Sequence, residues 1–167
     1  MKKTIVTFLV GGMLGAVAGF AAGIFIYPFI FLADIVAEER VEDAATRQDV
    51  FARKEIATGM FVHANPSDPI HYGKGKVTVY NDLVHLESDF EVGPGPKYHV
   101  YLVPEANVTP ITNVEKTMFV DLGRLKAFRG SQNYPLPDGI DLGKFGSVVI
   151  WCEHFATLIS PATLKFD

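Results

Sequence analysis

One residue in this chain offers a thiol, for redox chemistry or for ligating a soft metal: Cys152, the single cysteine of 167 residues. Residues 147–155 read Ser-Val-Val-Ile-Trp-Cys-Glu-His-Phe, a run suited to a strand. Strand alternation places Val148, Ile150, Cys152 and His154 on one face and Val149, Trp151, Glu153 and Phe155 on the other. Cys152 and His154 are then same-face neighbours, roughly 7 Å apart at their α-carbons from the strand rise. An imidazole there can favour the thiolate, or thiol and imidazole can together ligate a metal or a haem iron. The competing reading is structural. Free cysteine is among the most buried residue types, and the apolar run before Cys152 suits a small, inert core side chain. Burial without a helper raises a thiol's pKa and silences it.

The other histidines offer less. His63, His71, His85 and His99 show no His-x-His or His-x3-His ligand spacing. His99 shares its strand face with Lys97, Tyr101 and Val103 and reads as a hydrogen-bonded strand histidine. His63 and His71 flank a loop and can converge with Met60 only through the fold. Tyr98, Tyr101, Tyr134 and Trp151 read as core and turn residues rather than an electron relay. Gly73 and Gly75 precede a strand, the wrong context for a dinucleotide fingerprint, and there is no nucleophile elbow. The net charge of -4 leaves no basic footprint for nucleic acid. A lone cysteine excludes an intramolecular disulfide, so an exported thiol must be buried, ligated, paired between chains or reactive.

These residues sit in a chain of short strands. Residues 57–62 read as a first strand, Tyr72-Gly73-Lys74-Gly75 as a turn, and 76–80 as a half-buried strand with Val77 and Val79 inward. Residues 83–90 form the next strand, and Gly93-Pro94-Gly95-Pro96 is a loop. The aromatic and β-branched run 98–103 and the run 147–155 are core strands, the latter buried on both faces. Between them lie a polar excursion over 104–116, a short strand at 118–122, a turn-like link at 123–126 and rigid turn material from Gln132 to Gly139. Residues 157–159 and 162–164 close the chain. The pattern predicts an all-β fold, an antiparallel β-sandwich or barrel-like domain over 51–167.

Four ordered blocks resemble the DM-thirteen electron-transfer domain: Gly95-Pro96-x-x-His99-Val100-Tyr101-Leu102, Leu122-Gly123-x-Leu125-Lys126, Gly130-x-Gln132-x-Tyr134-x-Leu136-Pro137, and Ser147-Val148-Val149-Ile150-Trp151-Cys152-x-x-Phe155. Gly59-x-Phe61 and the glycine before Lys76 fit its opening. The resemblance covers residues 51–164. It implies a small extracytoplasmic all-β domain whose single cysteine, matched by Cys152, acts in redox chemistry as a free thiol or by holding a prosthetic group such as haem. His154 has no counterpart in the family pattern, so the Cys152–His154 pair gains nothing from it. No cytochrome or oxidase domain accompanies this one, so the electron partner is expected to be a separate protein.

Ahead of the domain, residues 4–33 contain no charge. A bilayer core of ~30 Å needs ~20 apolar residues in a helix, so the segment 1–33 is expected to be one N-terminal transmembrane helix. Lys2 and Lys3 precede it, and Asp34, Glu38, Glu39, Glu42 and Asp43 follow with Arg40 as the one opposing charge. That asymmetry predicts a single-pass anchor, N-terminus cytoplasmic and C-terminal domain extracytoplasmic. The rival is a cleaved signal peptide cut after Ala16-Val17-Ala18. Gly11, Gly15, Gly19 and Gly23 recur at every fourth position and share one helix face, a groove for a partner helix or a second copy of the chain. Residues 34–50, rich in helix formers, read as a solvated helical stalk. Two functions of different class follow. One is a membrane-tethered redox module working through Cys152. The other is a non-enzymatic surface binding module with Cys152 as buried structure.

Overall fold

The computed structural model describes residues 2–27, 35–44 and 53–166. The helix α1 runs over Lys2–Tyr27, and its described side chains are exposed except for the half-buried Ile24. Its Lys2–Ile24 part is long and apolar enough to cross a membrane.

The rest is an all-β domain, as the strand pattern predicts. Among the described residues the strands are β1 (Val36–Glu38), β2 (Glu55–Phe61), β3 (Gly73–Tyr80), β4 (Leu83–Leu86), β5 (Glu91–Val92), β6 (Tyr98–Val103), β7 (Val120–Arg124), β8 (Arg129–Pro135), β9 (Ser147–Cys152) and β10 (Thr157–Phe166). They form one sheet in the order β1-β8-β4-β3-β2-β10-β9-β6-β7, with β5 bridging β3 and β8. All pairs are antiparallel except β1 with β8. The sheet curls until β7 touches β8, enclosing one core in a barrel-like wall. Phe61, Phe90, Val100, Ile150, Ile159 and Leu164 belong to that core. Burying each such side chain contributes about 1.5–3 kcal/mol, and the Phe61 and Phe90 rings meet edge to face at 5.2 Å.

The core strands match the sequence reading. β6 covers the predicted 98–103, and every residue of β9 is buried. Alternation along both strands feeds two clusters. Tyr98, Val100, Leu102, Val148, Ile150 and Cys152 face the main core. Tyr101, Val103, Val149 and Trp151 face a second one, closed by Leu158 and by Val108 and Val114 from the excursion at 104–116. The polar excursion is thus a cover for the outer face of the sheet.

Several local readings need correction. Gln132 to Gly139 is not all turn: β8 runs to Pro135, and Gln132, Asn133 and Tyr134 are buried. Gln132 works there as a substitute backbone. Its Oε1 accepts from the N–H groups of Lys126 and Ala127 at 3.1 Å each and from Tyr134 Oη at 2.8 Å, and its Nε2 donates to the Ala127 carbonyl at 2.8 Å. Gly73 and Gly75 belong to β3 rather than to a turn. Gly73 lies so close to Ser160 of β10 that a β-carbon would come within 2.3 Å of its side chain, which is why a turn-forming residue type occurs inside a strand. Of the predicted strand 83–90 only Leu83–Leu86 is strand, as β4, a turn follows and β5 starts beyond it at Glu91, while the two closing runs merge into β10 through an irregularity between Leu158 and Ser160.

The helical stalk is also corrected where it is described. Val36–Glu38 pairs with Arg129–Ser131 as a strand, and Val41–Asp43 is a single 3-10 turn. Tertiary bonds outweigh helix propensity here. Glu39 takes the Lys126 ammonium at 2.8 Å and accepts the Asn133 backbone N–H at 2.8 Å, while Asn133 Nδ2 donates to the Arg40 carbonyl at 2.6 Å. The remainder of the predicted stalk lies outside the described residues.

Replacing Gln132 by leucine keeps its volume but leaves the Ala127 carbonyl, two backbone N–H groups and the Tyr134 hydroxyl without that partner. The expected cost is about 3 kcal/mol, read as a fall in the urea unfolding midpoint with an unchanged slope.

Candidate functional site

Cys152 ends β9, directly opposite Tyr98 of β6 and Thr157 of β10. It is 1% exposed. Its thiol donates to the Pro96 carbonyl at 3.2 Å, so the Gly93–Lys97 connection seals the sulfur from solvent. The seal is itself tied down. Gly93 N–H donates to the Tyr72 carbonyl at 2.9 Å, and Glu153 N–H to the Lys97 carbonyl at 3.2 Å. Gly95 passes so close over Tyr98 that a β-carbon would sit 2.1 Å from the phenol oxygen, so the Gly-Pro-Gly-Pro composition is needed for close approach as much as for turning. The Tyr98 hydroxyl beneath is buried with no hydrogen-bond partner, and its ring meets Phe128 edge on at 5.9 Å.

Burial pushes the Cys152 thiol pKa up from its ordinary value. The backbone N–H groups of Phe155 and His154 pull the other way, and the Glu153 charge adds to the rise. His154 therefore meets Cys152 through its main chain, not as the same-face side chain that alternation predicts. The strand stops at Cys152 and turns at once, with Ala156 at a φ of 46°. The His154 ring is exposed and packs edge on against Phe155 at 4.8 Å. The missed feature is the turn itself, which aims two amide donors at the sulfur.

A haem or other large prosthetic group does not fit at this sulfur. One cavity of about 270 Å3 is lined by Gly95, Tyr98, Leu125 and Phe128 among others, and an open one of about 500 Å3 by Pro96, Arg124 and His154 with Gly19 and Gly23 of α1, and Cys152 is in the wall of neither. The thiol is committed to a carbonyl inside a packed core.

The remaining predicted residues disperse. Tyr98, Tyr101, Tyr134 and Trp151 are buried core residues, as expected. His63 Nε2 meets the Asp68 carbonyl at 2.8 Å and His71 Nδ1 meets the Asp68 carboxylate at 2.6 Å. They thus converge on Asp68, while Met60 points outward. His85 is buried against Asn133 at 2.7 Å. Gly11, Gly15, Gly19 and Gly23 have nothing within 4 Å of where a β-carbon would stand.

A group that spacing could not reveal lies on the opposite sheet face. His99 of β6 sits between Asp121 of β7 and Glu153 beyond β9, with Nδ1 at 3.0 Å from Asp121 Oδ2 and Nε2 at 3.5 Å from Glu153 Oε2. The three residues come from three neighbouring chain segments far apart in sequence, so no local motif announces them.

A family model described as "Electron transfer DM13" matches residues 67–164, more than half the chain. The chain belongs to the DM13 electron-transfer family. The matched span contains β3 to β9 and most of β10, hence Cys152, its Pro96 seal and the His99 group. No curated protein and no solved structure matches the chain. Within this DM13 domain, Cys152 is the single sulfur nucleophile.

Two pH dependences follow. The His71 side chain hydrogen-bonded to Asp68 holds its carboxyl at about 2, below the ordinary 3.8. A depressed carboxyl contributes stability above its unfolded pKa and loses it as pH falls through the folded one. Asp68→Asn should therefore flatten the acid limb of the stability curve between about pH 4 and 2, measured by thermal melts. Cys152 has the opposite sign. Its raised pKa leaves stability intact below the ordinary thiol value of 9.0 and removes it as pH climbs above that, because the unfolded thiol ionises first. Relative to Cys152→Ser, the wild type should lose stability only on that alkaline side.

Proposed function

We propose that this DM13 domain is a membrane-tethered, extracytoplasmic redox module whose working group is the Cys152 thiol. The observation that carries the reading is the construction around the sulfur. Cys152 is capped by a single short connection through the Pro96 carbonyl, with the His154 and Phe155 amides facing it. While the cap is closed the thiol is protonated and inert. Lifting Pro96 admits water, removes the burial that raises the pKa, and leaves the two amides to favour the thiolate. The thiolate then attacks one sulfur of a disulfide on a separate protein. A new S–S bond forms, the partner's other sulfur leaves as thiolate, and the Cys152 proton passes to solvent. No haem or metal is required.

The helix α1 supplies the tether. Its Lys2 and Lys3 start and the acidic residues after it support an uncleaved anchor with the domain outside. The open glycine face supports pairing with a partner helix or a second copy.

A second reading is favoured by the same burial: a non-enzymatic surface module in which Cys152 is a core residue. Kinetics separate the two. In the redox reading, oxidised glutathione modifies Cys152 of the folded full chain in detergent much faster than the chain unfolds, by local opening at the cap. Pro96→Gly, which loosens the cap, should raise that rate about tenfold or more, as a local opening eased by ~1.4 kcal/mol would. Modification limited to the global unfolding rate in both proteins assigns Cys152 to structure.

A further inference from the structure

The His99 group on the outer face brings two carboxylates to one imidazole. Asp121 lies at 3.0 Å from His99 Nδ1 and is held there by the Gly123 N–H, which donates to its other oxygen at 2.8 Å. Glu153 Oε2 stands 3.5 Å from His99 Nε2, so two carboxylates gather around one imidazole. The arrangement calls for a positive charge between them. Lys97 partly provides it, its ammonium 2.7 Å from Glu153 Oε2, yet that side chain is more than half exposed and rests on the rim. The Tyr101 hydroxyl donates to Glu153 Oε1 at 3.1 Å, which fixes the carboxylate in place.

The dimensions suit a metal ion. Around a tetrahedral zinc, with ligand bonds of ~2.0–2.2 Å, neighbouring donor atoms stand about 3.4 Å apart. His99 Nε2 and Glu153 Oε2 already have that spacing. One ligand atom from each of His99, Asp121 and Glu153 lies within 4.8 Å of the other two, and closing the set on one ion requires a carboxylate to turn toward the ring nitrogen that the ion takes. His99 and Asp121 stand on paired strands of a rigid sheet and Glu153 follows directly on a third. We propose that His99, Asp121 and Glu153 bind a divalent transition cation of zinc type, which displaces the Lys97 ammonium. One imidazole with two carboxylates favours such an ion over magnesium or calcium, which take oxygen donors alone.

The test uses the full chain in detergent micelles and ZnCl2, followed by calorimetry in a non-coordinating buffer at neutral pH. Cobalt(II) gives a second readout, because Trp151, the single tryptophan, stands directly opposite His99 across β6 and β9. One equivalent of zinc is expected, with saturable quenching of Trp151 by cobalt that zinc reverses. Glu153→Gln and Asp121→Asn should each weaken zinc at least tenfold. Lys97→Met removes the competing cation from an exposed position and should tighten binding several-fold, an effect that a damaged fold cannot mimic. No uptake by either wild type or Lys97→Met overturns the proposal. So does uptake that all three substitutions leave unchanged, since the zinc is then held elsewhere, at His154 or Cys152.

Discussion

The pairing of Tyr98–Val103 with Ser147–Cys152 is the constraint on which the rest of the domain depends. Both strands are apolar on both faces, so neither tolerates water on either side, and each dictates a cover for two surfaces. The register places Tyr98 opposite Cys152 and His99 opposite Trp151. A slip by one residue would exchange the faces, sending the thiol outward and the imidazole into the main core. The large apolar side chains along both strands make that slip prohibitively costly. A single ladder therefore fixes the place of the thiol and of the histidine at once.

Covering such a ladder twice explains features that otherwise look unrelated. On the inside, the sheet curls and supplies its own core from β2, β3, β4 and β10. On the outside no second sheet exists among the described residues, so the excursion at 104–116 folds back and inserts Val108 and Val114. At the end of the ladder a third cover is needed for the sulfur. The proline-glycine connection fills that place, because a chain with larger side chains could not lie so close to Tyr98. Its cost is visible beneath it, where the Tyr98 hydroxyl is buried without a partner. An unpaired buried hydroxyl costs about 1–3 kcal/mol, tolerable only because the surrounding aromatic packing is extensive.

Legibility in the sequence followed the source of the forces. β6, β9 and the two-sided burial were readable because period and composition record burial directly. The family blocks were readable because they combine loop glycines and prolines with buried aliphatic and aromatic strand residues. Gln132 and its neighbours were misread as a turn, since a side-chain amide acting as backbone is invisible to propensity. The stalk was misread for a related reason: Glu39 and Asn133 are 94 residues apart, and only the fold shows that they bond. For Cys152 the alternation was right up to the sulfur and failed at the next residue, where a turn carried His154 away. The His99 group was unreadable, because β7, β6 and the end of β9 meet only through long-range pairing.

Burial and redox use of Cys152 are less opposed than the raised pKa suggests. The rise belongs to the closed state alone, since desolvation is its largest cause and the two amides act against it. Each pKa unit is worth ~1.36 kcal/mol, so opening recovers that ionisation energy while it costs the bonds of one short connection. Those bonds are few: Pro96 to the sulfur, Gly93 to the Tyr72 carbonyl, Lys97 to the Glu153 backbone, and the ion pair between the Lys97 and Glu153 side chains. An exposed ion pair of that kind is worth ~0–1 kcal/mol. Local opening is therefore far cheaper than unfolding the ladder, and it delivers access and acidity together. In the proposed redox role every oxidant, large or small, reaches the sulfur through that one local opening, and a disulfide-bearing partner that docks near Pro96 gains by favouring it.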